Sequence, residues 1–280
     1  MTATDAADPN AVVCLFESES AISRDMLVAR GIDVERVAVF PVATVEDFRD
    51  NSLRIVTEHM LLKKDERPKM MFVLDSLGML STAKEIAEAV ASSGTKDMTR
   101  AALIKSSFRV LTLKLGHCNI PLLVTNHVYA AIGSNSPLPE SGGGGGFKYA
   151  VSAEITLTKA KYKEGEEQVG IVVTATAKKS RLTVEGTKAK VLIRYDGGLD
   201  RHYGLVPIAE ALGIIKKEMG RFVLPDGKKV FEKNITDNPS ILYTPEVLAQ
   251  IDDWTKKNFT YGAENLNVAI NLTGEEDKSA

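Results

Sequence analysis

The hydrophobic and polar positions of the chain follow one rule before a run of five glycines, Gly142 to Gly146, and another after it. Before the run, short unbroken apolar stretches alternate with stretches of helical spacing. Val12 to Phe16, Val37 to Phe40, Met70 to Leu74 and Ile120 to Thr125 have the length and content of strands buried on both faces. Arg24 to Arg30 carries Met26 and Leu27 on one side and stops at Gly31, while Thr44 to Lys64 repeats Val45, Phe48, Leu53, Val56 and Met60 at helical intervals. Asp97 caps a further long helix with Leu103, Ser107, Leu111 and Leu115 on one face and Arg100, Lys105 and Arg109 off it. Between Asp75 and that helix, regular structure thins out over Ala89 to Lys96. Strand, helix, strand, helix, strand predicts an α/β domain with a mostly parallel sheet flanked by helices.

After the glycines the period becomes two. Glu154 to Thr158 and Gly170 to Thr176 predict an antiparallel hairpin across a charged turn at Tyr162 to Gln168, and Lys190 to Tyr195 predicts another strand. From Tyr203 the pattern is that of a small α+β unit. It has a helix over Leu205 to Leu212, two strands around the Pro225-Asp226-Gly227 turn, and an amphipathic helix from Pro245 to Phe259 around Trp254. Residues 1–10 and the tail 263–280, which contains Glu275-Glu276-Asp277, are polar and aperiodic and are expected to be disordered.

Composition narrows the class. At 280 residues, 44% hydrophobic and 26% charged, the chain has material for one large core and a smaller one. No apolar run approaches the roughly 18 residues of a membrane span, and the first ten residues lack the pattern of a secretory leader. The expectation is a cytoplasmic protein with no membrane partner. Cys14 and Cys118 lie in or beside apolar segments without metal or redox spacing, so reduced thiols are expected. A zinc site from His117, Cys118, His127 and His202 lacks the required spacing. The net charge of −2 offers nucleic acid no bulk attraction. From Lys148 to Arg194, however, ten basic residues face five acidic ones, an excess that suits a polyanion or, more plainly, a lysine-protected sheet edge.

The candidate chemistry lies at the ends of the early strands. Met70 to Leu74 runs into Asp75-Ser76, Val12 to Phe16 into Glu17-Ser18-Glu19, and Ile120 to Thr125 into Asn126-His127. In open parallel sheets ligands sit off the carboxyl ends of the strands, so these groups aim at one crevice, with turn capping as the plain alternative. The long segment from Val128 to Gly146 is of the kind that is either functional or disordered. It is not a P-loop, which requires GxxxxGK[ST] between strand and helix, whereas Gly146 precedes Phe147-Lys148-Tyr149 and alternating sequence.

Several linked stretches, in order, resemble the RecA-type strand-exchange recombinases, and most of all the phage UvsX branch, from about Val12 to Phe259: CLFESES, VLDSLG, DMTRA, VTNH, the glycines followed by FKYAVSAEITL, AKKSR, and YDGGLD leading to GLVPIAEALGII. The resemblance implies a RecA-like ATPase core over residues 11–203, with antiparallel strands at one edge of its sheet, and a small α+β C-terminal domain over 204–262. It implies ATP and Mg²⁺ as cofactors. Asp75 would hold Mg²⁺ through water, Glu19 would activate the attacking water, and Ser76, His127 and Met26 would line the nucleotide site, with His127 sensing the γ-phosphate. Lys179 and Arg181, and Lys148 less strongly, would reach a neighbouring subunit's ATP. Ala89 to Lys96 with Arg100, and Ala130 to Phe147 with Gly142, Gly143, Gly144, Gly145, Gly146 and Phe147, would line a path for single-stranded DNA held by its backbone.

The implied activity is DNA recombination and repair, through homologous pairing and strand exchange by an ATP-dependent filament. The implied partners are single-stranded DNA and either further copies of the chain or a P-loop-bearing recombinase subunit. Three departures bear on this. The sequence contains no GxxxxGK[ST] and opens at the strand after the place where that loop would lie, Met26 stands where many relatives stack a tyrosine on adenine, and Tyr129 is the sole aromatic of the second loop before Phe147. A non-catalytic RecA-like filament or assembly factor stays open as a second reading, and a helicase-like motor as a third.

Overall fold

The computed structural model describes residues 8, 10–91, 99–129, 140–141 and 149–259. Gly142 to Gly146, Phe147, Lys148, Asp97, most of Ala89 to Lys96, most of Ala130 to Phe147, and nearly all of 1–10 and 260–280 lie outside the described residues. The chain divides into two compact units, residues 1–151 and 152–280.

The first unit is built on a parallel sheet of β1 (Val12–Glu17), β2 (Val37–Pro41), β3 (Met70–Asp75) and β4 (Leu122–Val124), in the order β2-β1-β3-β4. The connection from β1 runs to one side and the later connections to the other, so the order reverses between β1 and β3. That is the topological switch point where open α/β sheets bind ligands. Three helices join the strands after β2: α2 (Val45–Leu61), α3 (Ala83–Val90) and α4 (Arg100–Cys118), while the short α1 (Arg24–Ala29) lies between β1 and β2. α2 begins in a reciprocal cap, Asp47 N–H donating to Thr44 Oγ1 and Thr44 N–H to the Asp47 carboxylate, each at 3.0 Å. α4 begins at Arg100, after Thr99, and stops at Asn119, whose left-handed φ of 53° an asparagine tolerates.

Alternate residues of the strands, Cys14, Phe16, Phe72 and Leu74, meet Val45, Phe48 and Val56 of α2 and Ile104, Phe108 and Leu111 of α4 in one core. Both cysteines are free thiols, and burial pushes that of Cys14 up to about 11. α3 takes up the start of the stretch expected to be irregular from Ala89. Its Ile86 and Val90 recur at helical spacing and are exposed.

A short antiparallel pair, β5 (Val128–Tyr129) and β6 (Glu140–Ser141), follows β4, and the second unit holds an antiparallel sheet of β7 (Ala153–Glu164), β8 (Glu167–Ser180), β9 (Lys188–Arg194) and β10 (Gly198–Asp200), in the order β10-β9-β8-β7. The expected hairpin is present, its strands longer than the alternating sequence suggested and its turn confined to Gly165 and Glu166. Gly170 is required there, because a Cβ would lie 2.6 Å from the Ile193 carbonyl oxygen of the neighbouring strand. Among the described residues these four strands form a sheet of their own. A second core, including Phe222, Leu224, Ile235, Leu242 and Ile251, is formed by a three-stranded sheet and the helices Val206–Ala211, Glu232–Asp237 and Pro245–Phe259. The architecture is therefore α/β, a four-stranded parallel sheet flanked by helices with separate antiparallel sheets, as in a RecA-like core. Among the described residues no helix is long and apolar enough to cross a membrane.

Candidate functional site

β1 and β3 end level with each other, Glu17 paired with Asp75, so both strands deliver their polar ends to the switch point together. Ser18 ties them. Its Oγ accepts the Ser76 N–H at 2.8 Å and donates to the Ser76 carbonyl at 2.9 Å, while the Ser18 N–H donates to the Asp75 carbonyl at 2.9 Å. The Asp75–Ser76 peptide is cis.

Three side chains then meet. Ser76, 2% exposed, donates its hydroxyl to Glu19 Oε1 at 2.7 Å. His127, just past β4, places Nε2 at 3.2 Å from the same oxygen and 3.4 Å from Ser76 Oγ. With its proton on Nε2 the imidazole donates to Glu19 and leaves Nδ1 as an acceptor. Gly78 makes this placement possible, because a Cβ there would lie 2.6 Å from His127 Cδ2. Gly78→Ala should accordingly push the ring off Glu19 and raise its mobility in NMR relaxation, with the melting temperature little changed.

The Ser76 hydroxyl and then the His127 bond hold the Glu19 carboxyl below the usual glutamate range. Glu19 therefore loses its proton at lower pH in the folded chain than in the unfolded one. The stabilisation is complete above the unfolded value of about 4.3 and is lost as pH falls through the folded value. Ser76→Ala removes the larger cause, so a carboxyl-resolved NMR titration should find Glu19 titrating higher than in the parent chain.

Asp75 sits beside this cluster, half-buried, with Oδ1 accepting the Thr125 hydroxyl at 2.5 Å. A carboxylate steadied by a neighbouring hydroxyl at a strand end suits a hydrated Mg²⁺, which keeps most of its waters and takes one or two carboxylates besides phosphate oxygens. Among the described residues no cluster of three or more His, Cys, Asp or Glu could enclose a metal. These 280 residues contain no GxxxxGK[ST] to wrap phosphates.

Of the other expected site residues, Met26, Arg100, Lys179 and Arg181 lie among the described residues. Met26 lies on α1, 41% exposed, with its N–H donated to Ser23 Oγ. Arg100 is committed to three carbonyls, those of Leu80, Leu77 and Gly78, at 2.9, 3.0 and 3.2 Å. It braces the turn after Ser76. Lys179 and Arg181 flank the buried Ser180 at the end of β8 in the second unit, and the Ser180 hydroxyl accepts the N–H groups of Leu182 and Thr183. Gly142 to Gly146, Phe147 and Lys148 lie outside the described residues.

By its place at the end of β1, Glu17 reads in the sequence as an acid aimed at the crevice. Its carboxylate instead turns inward, 7% exposed, onto the backbone N–H groups of Glu19 and Ala21, each at 3.0 Å, and of Ser20 at 2.8 Å. The signal available was the pairing of two acids separated by one residue on a strand end, of which one is easily spent on the turn itself.

No family model matches the chain. A curated protein of Enterobacteria phage T4 named "Recombination and repair protein" is 32% identical to it over 209 residues, which is 75% of this chain and 52% of that protein. The chain thus spans about half the length of the curated relative it matches. The likeness supports a recombinase-family relation.

Proposed function

We propose that the chain works in DNA recombination and repair as the acid-bearing part of an ATP-driven, RecA-like strand-exchange protein that assembles as a filament on single-stranded DNA. The observation that carries this reading is the meeting of Glu19, Ser76 and His127 beside Asp75 at the switch point. The relation to the phage protein supplies the biological context.

In this reading Asp75 holds a hydrated Mg²⁺ and polypeptide outside this sequence supplies the phosphate cradle. Bound Mg²⁺ would neutralise charge on the triphosphate. Glu19, kept ionised by its hydrogen bonds, orients the attacking water and accepts its proton at the carboxylate. His127 touches both Glu19 and Ser76 and precedes β5 (Val128–Tyr129), so a change in its bonding is felt where the chain leaves for the glycine run. Lys179 and Arg181 serve a neighbouring subunit's nucleotide, and the glycine-rich segment holds the DNA backbone.

The test is single-stranded-DNA-stimulated ATP hydrolysis by the chain, alone and mixed with a fragment supplying a GxxxxGK[ST] loop. Turnover confined to the mixture is expected, and silence in both overturns the catalytic reading. One observation favours a second reading, a non-catalytic filament or assembly factor: the 280 residues contain no phosphate-binding motif of their own. DNA binding without turnover in the mixture would establish it.

A further inference from the structure

We infer that Glu17 is a positioning residue for Glu19, its buried carboxylate setting the backbone turn that delivers the Glu19 side chain to Ser76 and His127. The inference rests on the catalytic reading of Glu19 above, but its geometry stands apart from that reading.

β1 carries Phe16 into the helix-covered core, and strand alternation sends Glu17 to the opposite face. A glutamate buried at that point has to find donors, and nearly complete burial makes an unmet carboxylate costly. Its donors are the next three available amides along the same chain. Oε1 takes the N–H groups of Glu19 and Ala21 and Oε2 takes that of Ser20. Three backbone donors converging on one carboxylate form a closed local ring that the chain can make only by reversing direction right after β1.

The reversal has a visible cost. Ser20 sits at φ 54°, in the left-handed region that a non-glycine residue enters only when its surroundings hold it there. The Glu17 bond to the Ser20 N–H, the shortest of the three at 2.8 Å, is the local hold. Ser18 fixes the other side of the turn by bonding the Ser76 backbone. Glu19 therefore leaves a segment clamped on both sides, by Glu17 to the backbone ahead of it and by Ser18 to the Ser76 backbone past the neighbouring strand. Its carboxylate arrives at hydrogen-bond distance from Ser76 with little freedom to swing, and an acid that must meet a water in one direction needs that restraint. Among the described residues the Glu17 carboxylate bonds the Glu19, Ser20 and Ala21 amides and not Ser76 or His127, so its influence on them passes through Glu19.

Glu17→Gln is the informative variant. The amide keeps the size and can still accept through Oε1, but it turns an N–H₂ toward the Ser20 N–H, donor against donor. In the isolated, isotope-labelled chain the nuclear Overhauser contact between the Glu19 side chain and the His127 ring is expected to disappear. Amide exchange at Ser20 and Ala21 should accelerate, with the methyl spectrum of the core unchanged. In the mixture with the P-loop fragment, kcat should fall about 10²-fold with KM for ATP unchanged, the signature of a misplaced group and not of lost binding. Glu17→Asp, one methylene too short to span all three amides, should act in the same direction.

Persistence of the Glu19–His127 contact in a folded Glu17→Gln chain would overturn the inference. So would failure of both variants to fold, since Glu17 would then be a stabilising group only. Silence of the unsubstituted mixture would sink the catalytic reading, while the Overhauser contact would still decide the positioning role.

Discussion

Glu19→Gln is expected to abolish DNA-stimulated ATP turnover in the reconstituted mixture, by about 10²–10⁴-fold, the usual contribution of a positioned general base. The variant suits the test because it separates chemistry from architecture. The glutamine Oε1 still accepts the Ser76 hydroxyl, which is the closest bond of the cluster at 2.7 Å, so the side chain keeps its place while losing its capacity for a proton. The bond from His127 is retained in kind, since Nε2–H can donate to an amide oxygen as it does to a carboxylate. ATP and DNA binding by the mixture should accordingly be preserved. Turnover unchanged by Glu19→Gln, measured by phosphate release at saturating ATP, would remove Glu19 from the reaction and leave the cluster as a structural latch between β1, β3 and β4.

The parts of this arrangement legible in the sequence are those that long-range burial imposes on composition. The four strands of the parallel sheet are legible as unbroken apolar runs, although two-faced burial is not met on the edge strands, where Val39 of β2 and Leu123 of β4 are exposed, and α2 and α4 repeat their apolar residues because one side of each lies in the core. Glu19, Asp75 and His127 are legible as polar residues where such runs stop, and the level ends of β1 and β3 turn that linear hint into a cluster. What escapes is decided by local bonding that leaves no periodic trace. The inward turn of Glu17 depends on three amides just downstream, and an acid at position 17 reads the same whether it faces a ligand or its own backbone. Arg100 reads as a cation off the apolar face, yet its guanidinium is spent on carbonyls 20 to 23 residues earlier, a pairing that no spacing rule encodes. α3 carries a readable signal, Ala83, Ile86, Ala87 and Val90 at helical spacing behind the reciprocal cap of Thr82 and Glu85, but at eight residues it is short beside α2 and α4.

Phe16→Ala is expected to destabilise the first unit by about 3–5 kcal/mol, the cost of truncating a buried phenylalanine in a core that cannot fully collapse. The ring is 0% exposed and lies among three others: Phe40 stacked at 5.3 Å between centroids, Phe48 edge-on at 5.1 Å and Phe72 edge-on at 5.3 Å. These partners come from β2, α2 and β3, so the cavity would open where the sheet and its covering helix layer meet. Against a total of roughly 5–15 kcal/mol for a typical domain, such a loss takes a large share of the stability. The melting transition followed by calorimetry should fall by about 10 °C or more. Val39→Ala is the matched control: it truncates a strand residue of the same sheet that is 48% exposed, and should cost about 0.5 kcal/mol or less. Phe16 also immediately precedes Glu17, Ser18 and Glu19, so loosening β1 at this point should weaken the hydrogen bond that the Ser76 N–H donates to Ser18 Oγ before the unit melts. Amide exchange at Ser76 should then rise in Phe16→Ala well below its melting temperature and stay at the parent level in Val39→Ala. Equal exchange in the two variants would mean that the site is held by its own bonds and not by the packing of the aromatic core beneath it.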